Sequence, residues 1–366
     1  MKQLLFLATD NGIYTAQSPG SAQRRAEEGW EATGHSLASH QINSLSVLGS
    51  TVLAGTREGV FRSEDLGQTW HMSSEGLAET HVRWLAHHPD GSGRMLVGTE
   101  PAAIYLSRDG GRIWSERPKV AELRDEFGWF LPYSAGAGCV RDFAFAFDGR
   151  RVYAAVEVGG LLRSDDAGET WQLAPGSSGR TGSQAPGYVH PDVHSVSVHP
   201  WSRDLVFAAT GGGLYRSEDG GATWAHLYDC YCRANWPDPA EAANLVLGPA
   251  DGVDRGGRIE RTFDGGETWR STLLPGYPQE ENSTSSLFGY QAGADPVVRA
   301  GTHGLFYLSG IVFDRGEDAR SAVFVSRYMD LNNVEGGDPI VFIDTTKVAW
   351  NDVGDYFIDK PWLAVD

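Results

Sequence analysis

Short apolar runs separated by turn residues recur along the whole chain, and their length suits strands rather than helices. Leu4 to Thr9, Gly12 to Ala16 and Trp30 to Gly34 predict three strands at the start. Fuller units run from Ile42 to about Met72, Val82 to about Glu116, Val140 to Leu173, Val193 to Leu227 and Cys232 to Leu273. A last unit opens near Leu287 and includes Val297 to Ala300 and Leu305 to Leu308. Each full unit predicts four short strands, A to D, and the first lacks strand A. A polar signature punctuates these units: SEDLGQTW at Ser63 to Trp70, SRDGGRIW at Ser107 to Trp114, SDDAGETW at Ser164 to Trp171, SEDGGATW at Ser217 to Trp224 and TFDGGETW at Thr262 to Trp269. The copies lie roughly 45 to 55 residues apart, the period of propeller blades or arrays.

The signature reads as a tight turn between two antiparallel strands. The carboxylates of Asp65, Asp109, Asp166, Asp219 and Asp264 can accept hydrogen bonds from their own turns. The following Gly can take a positive φ, where a Cβ would clash. The Trp opens the next strand and offers a large face to a neighbouring blade. Five equivalent acids spread around a ring predict turn staples rather than one catalytic centre.

On these five motifs the chain resembles the Asp-box (BNR) repeat proteins, which include sialidases, xyloglucan-cleaving endoglucanases, sortilin-type receptors and photosystem II assembly factors. The resemblance covers about Leu4 to Ser309. It implies an all-β, seven-bladed β-propeller with Asp-box turns. It says little about function, because the family mixes enzymes with binding proteins.

A ring of this kind usually closes by borrowing a strand from the other terminus, which removes the exposed edge. Blade 1 is therefore expected to be completed by a C-terminal strand from beyond Ser309. The domain reading is a propeller over 1–309 and a divergent, Asp-rich tail over 310–366. Ser321 to Ser326 and Ile340 to Ile343 are plausible strands of that tail, able to serve blade 7 and the closure. Asp359 to Asp366 resembles the opening strands of a different, usually secreted, Asp-box protein, so a fragment of a second domain is the alternative.

Composition narrows the partners. With 30 Lys and Arg against 48 Asp and Glu, the formal net charge is -18. That argues against nucleic acid and anionic membrane surfaces, both of which want a basic face. Cys139, Cys230 and Cys232 are too few for a disulfide framework. The apolar run after Met1 is too short for a signal peptide and reads as a strand, and no stretch is long enough to span a membrane. The expected compartment is the cytoplasm.

Strand alternation puts the D-to-A and B-to-C connections on one face and the Asp-box turns on the other. The long, varied connections, Pro118 to Gly138, Pro175 to Asp192 and Leu274 to Ser286, all fall opposite the turns, where function is expected. Aligning the start of strand A on His88-Pro89, His199-Pro200 and Asp238-Pro239 superposes Arg83, His194 and Arg233, with Arg141 and Asn43 equivalent in blades 4 and 2. The end of strand B gives a second ring of Asp10, Arg57, Glu100, Glu157, Gly211 and His303. Polar residues of both signs therefore converge on one mouth of the central channel.

Arg83, Arg141 and Arg233 resemble the arginine cluster with which sialidases hold a substrate carboxylate, a task suited to bidentate guanidinium groups. The other reading pairs each Arg with Glu100, Glu157 or Asp142 and merely seals the channel. The sequence has no Phe/Tyr-Arg-Ile-Pro near its start and no Tyr–Glu pair placed by motif; Tyr133, Tyr188 and Tyr231 lie on the right loops. Glu100 and Glu157, equivalent in adjacent blades, are the candidate catalytic carboxylates of a glycosidase. His190 to His194 and Asp229 to Cys232 are neighbours across blades 5 and 6, but they lack a clear fourth ligand, so no metal and no cofactor are expected. The function expected is a glycoside hydrolase-like, sialidase-like propeller that binds an acidic or neutral glycan with Arg83, Arg141, Arg233, His194, Arg57, His303 and Asn43. The alternative is a non-enzymatic binding or assembly propeller that holds a protein segment or small anion on the same face.

Overall fold

A computed structural model describes residues 4–17, 31–131, 134, 137–180, 185–252, 259–272, 284–300, 305–316, 319–330, 340–352 and 362–365. It contains seven four-stranded antiparallel sheets, the blades of a β-propeller. Blade 2 comprises Ile42–Leu48, Thr51–Thr56, Val60–Ser63 and His71–Met72. Blade 3 comprises Val82–His87, Met95–Thr99, Ile104–Ser107 and Ser115–Glu116. Blade 4 comprises Cys139–Phe145, Val152–Glu157, Gly160–Ser164 and Gln172–Leu173. Blade 5 comprises Val193–His199, Ser202–Thr210, Gly213–Ser217 and Ala225–Tyr228. Blade 6 comprises Tyr231–Pro237, Leu245–Ala250, Ile259–Thr262 and Arg270–Thr272.

Blade 7 has longer strands: Ala292–Ala300, Leu305–Phe313, Ser321–Asp330 and Ile340–Asn351. Blade 1 takes Leu4–Thr9, Gly12–Gln17 and Glu31–Ser36 from the start of the chain. Its innermost strand is Trp362–Val365, which pairs antiparallel with Leu4–Thr9 in the register Leu5↔Val365 to Ala8↔Trp362. Strand A of every blade packs against strand A of the next, and the ring closes between blades 7 and 1.

The core lies between blades. Strand B of each blade is apolar on both faces, as in Val152–Glu157, where every residue is buried. Trp114, Trp171 and Trp224, which follow the repeated turns, are 2–6% exposed. Each joins an apolar cluster that includes strand B of the preceding blade, so Trp224 packs with Tyr153 and Ala155. Full burial of a side chain this large contributes on the order of 3 kcal/mol.

The repeated turns are stapled as their residue types require. In the fourth copy Asp219 Oδ1 accepts from Ser217 Oγ at 2.8 Å, Ala222 N at 3.0 Å and Thr223 N at 2.8 Å, while Oδ2 accepts from Thr223 Oγ1 at 2.6 Å. Ser217 Oγ in turn accepts from Gly221 N at 2.8 Å, and Gly221 sits at φ 84°. The other four copies hold Asp65, Asp109, Asp166 and Asp264 in the same way, except that Ile113 replaces the Thr beside Asp109. Burial works to raise the Asp219 carboxyl, but the hydroxyl and amide of Thr223, then Ser217 and Ala222, outweigh it and hold it at about 2. Thr69 first, then Ser63, hold Asp65 at about 2.

Asp219→Ala is expected to cost about 1–3 kcal/mol, because the amide and hydroxyl donors of the turn lose their shared acceptor. A depressed folded-state pKa contributes stability that is present above the unfolded value, about 3.9, and is lost as pH falls through the folded value. Melting temperature is thus expected to fall between about pH 4 and pH 2, by less in Asp219→Ala than in wild type. Calorimetric scans across that window check both; a variant as stable as wild type would remove the staple.

Candidate functional site at the channel mouth

In five consecutive blades the register of strand A on strand B slips by one residue near the start of strand A. The skipped residues are Asn43, Arg83, Arg141, His194 and Arg233. These are the five positions that the sequence alignment of blades superposes. A bulge leaves its residue out of the ladder, bends the strand and re-aims the side chain. Blades 2 to 6 therefore each present one non-ladder side chain at the same end of strand A.

Two of the five reach the next blade. Asn43 Nδ2 donates to the Val82 carbonyl at 2.9 Å. His194 Nδ1 lies 2.9 Å from the Cys232 carbonyl. Each carbonyl belongs to the residue before the next blade's bulge, Arg83 and Arg233. A carbonyl can only accept, so Nδ1 of His194 carries the proton.

Arg83 and Arg141 turn instead to the end of strand B in their own blades. Arg83 Nη1 is 3.4 Å from Glu100 Oε2, Ser134 donates to Glu100 Oε1, and His81 Nδ1 stands 3.9 Å away. Arg141 donates through Nε to Glu157 Oε2, and Cys139 Sγ donates to the same oxygen at 3.1 Å. Both glutamate side chains are 6% exposed. Burial pushes the Cys139 thiol up to about 12, so it stays a donor. Asp142, the other carboxylate expected near these arginines, accepts from Val196 N at 3.1 Å.

Burial raises the Tyr231 pKa above its ordinary value. The Tyr231 ring packs on His194 with centroids 5.0 Å apart. Arg83, Arg141 and Arg233 occupy equivalent bulges of blades 3, 4 and 6, and the His194 bulge of blade 5 falls between the last two in the blade order.

The rest of the second ring divides. Asp10 Oδ1 accepts from Gln41 Nε2 at 2.5 Å, and Arg57 is exposed. Gly211 backs onto Asp192, where a Cβ would come within 2.3 Å of Oδ2. His303 and Tyr133 lie outside the described residues, and Tyr188 is exposed.

Asp192 is the residue whose place the sequence reading missed. One ligand atom each from Glu157, Asp192 and His194 fall within 4.8 Å of one another. The carboxylate beside Glu157 is therefore Asp192. Burial works to raise the Asp192 carboxyl, and the adjacent His194 outweighs it and holds it below the usual range. The available signal was the His-x-Asp-x-His spacing, which the reading joined to Asp229 and Cys230 rather than to Glu157.

The connection from Pro118 to Gly138, expected as a varied loop, contains helix α1, Lys119–Phe127. Val120 and Leu123 bury into the blade 3–blade 4 core, and Gly128 at φ 65° ends the helix. Trp129 Nε1 then donates to the Gly179 carbonyl at 2.7 Å, tying this connection to the one entering blade 5.

No family model matches the chain. Over 142 residues it is 32% identical to the outer-membrane lipoprotein LolB of Chromohalobacter salexigens, covering 37% of this chain and 58% of that protein. Over 259 residues it is 24% identical to the xyloglucanase Xgh74A of Acetivibrio thermocellus, covering 57% of this chain and 29% of the enzyme. The chain thus spans less than two thirds of either relative. Among solved structures it is similar to YCF48 bound to D1 peptide, with a TM-score of 0.53 at 15% identity over 83% of this chain and 86% of that one. It is also similar to an ancestral GH74 enzyme, with a TM-score of 0.57 at 15% identity over 85% of this chain and 38% of that one. At such identity these two likenesses establish the fold alone. The likeness to an outer-membrane lipoprotein overturns the cytoplasmic location expected from the apolar start. An apolar run that forms the second strand of blade 1 carries no information about compartment. Among the described residues no helix is long and apolar enough to cross a membrane.

Proposed function

We propose that the mouth opposite the repeated turns is the binding site of an Asp-box propeller for an acidic ligand, most simply a carboxylated sugar. Arg83, Arg141 and Arg233 supply the recognition. The observation that carries this is the repeated bulge that takes Arg83, Arg141 and Arg233 out of the ladder at equivalent positions near the start of strand A. Glu100 and Glu157 pre-orient two guanidinium groups, which lowers the entropy lost when a ligand docks. Tyr231 offers an aromatic face with a polar tip, a common partner for a sugar ring. The similarity to glycoside hydrolases of the GH74 type supports a glycan as the ligand class. The similarity to YCF48 bound to D1 peptide, which spans most of both chains, supports a second reading in which the same arginines hold a protein segment.

Calorimetric titration with sialic, uronic and neutral sugars tests the proposal. Arg233→Ala is expected to weaken binding of the acidic sugars by roughly 1.5–3 kcal/mol, about 10- to 150-fold. Arg141→Lys, which keeps the charge but loses the fork, should fall between wild type and Arg233→Ala. Fluorogenic glycosides run in parallel report whether Glu157 also serves hydrolysis. Acidic and neutral sugars that fail alike, with a carboxylate-ended peptide binding through the same arginines, would move the function to the protein-segment reading.

A further inference from the structure

We propose that Glu157, Asp192 and His194 bind a divalent first-row transition cation, such as Zn2+, at the channel mouth. The three donors come from the end of strand B in blade 4, the connection into blade 5 and the bulge of blade 5. One ligand atom from each lies within 4.8 Å of the other two. His194 Nε2 and Asp192 Oδ2 are 3.2 Å apart, close to the edge of a tetrahedron with bonds of about 2.0–2.2 Å.

The orientation of His194 suits a metal ligand. Its Nδ1 gives its proton to the Cys232 carbonyl, so Nε2 is the nitrogen left facing the carboxylates. Metal-ligating histidines are held this way, with the other ring nitrogen donating to a carbonyl or carboxylate. His194 is 6% exposed, its Nε2 faces Asp192 Oδ2 at 3.2 Å, and Asp192 Oδ1 has no hydrogen-bond partner. A nitrogen lone pair 3.2 Å from a carboxylate oxygen is repulsive unless a cation or a second proton lies between them. Glu157 is itself steadied by Arg141 and Cys139, as ligating carboxylates commonly are.

The donor set selects the metal. One imidazole and two carboxylates suit zinc or manganese; calcium wants six to eight oxygens. Three protein ligands leave a coordination position open beside the arginines. The Arg141 guanidinium offsets part of the acidic charge, so the site is weaker than a closed structural one. The inference stands apart from the glycan reading, because it is tested with metal alone.

Zn2+ is titrated calorimetrically into metal-free wild type, Asp192→Asn and His194→Gln, and Co2+ is followed by its visible absorption. One ion per chain is expected in wild type, with affinity lower on the order of 100-fold in either variant. Gly211→Ala, whose Cβ would displace Asp192 Oδ2, should weaken binding in the same direction without removing a donor. Should the ligand variants fail to fold, the Co2+ spectrum of wild type decides: low-symmetry protein coordination is expected. A spectrum like that of the aqueous ion, absence of stoichiometric Zn2+ binding, or equal binding in Asp192→Asn, His194→Gln and wild type would leave only an imidazolium–carboxylate pair and overturn the site.

Discussion

Stopping the chain after Asp352 is expected to lower the melting temperature by more than about 10 °C and to cause aggregation in the micromolar range. The truncation removes Trp362–Val365, the innermost strand of blade 1. Four ladder positions from Leu5 to Ala8 lose their partners. Each backbone hydrogen bond contributes about 1 kcal/mol net, and the bared groups of a central strand cost more when water reaches them poorly. Leu5 and Leu7 also pack with Tyr307, Ile311, Val323 and Val325 of blade 7, so the seam that closes the ring opens at the same place. A bare apolar strand edge is in addition a template for pairing with another chain. At a change of a few kcal/mol the expected shift is well outside calorimetric error. Scanning calorimetry and size-exclusion chromatography measure both effects. A truncated chain that melts like wild type and elutes as one species would make the closing strand an appendage.

The second large effect concerns the buried ion pair of blade 4. Arg141→Met is expected to cost about 3–5 kcal/mol, because it leaves the Glu157 carboxylate buried without its cation. The double substitution Arg141→Met with Glu157→Gln should recover most of that loss, since a neutral amide costs far less to bury than an unpaired charge. Denaturant titrations of the four proteins form a double-mutant cycle. A coupling below about 1 kcal/mol would mean that water screens the pair and that the mouth is more open than the 6% exposure of Glu157 implies. The same cycle bears on function, because a preformed ion-pair network is what holds the Arg141 fork in place for a ligand.

The sequence made the fold legible because one turn motif fixes a blade boundary each time it occurs. Ser, Asp, Gly and Trp at set offsets have one mechanical reading, and five copies give a period. Blade 7 was harder to read because it lacks the motif and has strands of 9–12 residues, so its units cannot be aligned to the others. The closing strand was expected from the missing strand A, but its place at Trp362–Val365 depends on a pairing across almost the whole chain. Helix α1 was invisible as a period because nine residues with Val120 and Leu123 on the buried face give too few apolar repeats.

At the site, alignment across blades found Asn43, Arg83, Arg141, His194 and Arg233 without any knowledge that each is a bulge residue. The repeat alone carried that signal. What alignment did not find was the partner of each side chain. Arg141 meets Glu157 within its blade, whereas His194 reaches the Cys232 carbonyl of the next, and both start from equivalent positions. Such choices depend on the distances that curvature sets between blades, which no local pattern encodes. Asp192 was overlooked for the same reason: its nearness to Glu157 arises between blades 4 and 5, 35 positions apart in the chain.

The most direct test of the central claim is a crystal structure of the protein soaked with a sialic or uronic acid. The account predicts the sugar at the mouth opposite the repeated turns, its carboxylate between Arg141 and Arg233 and its ring against Tyr231. A sugar bound elsewhere, or one whose carboxylate touches neither Arg141 nor Arg233 at saturating ligand, would contradict it.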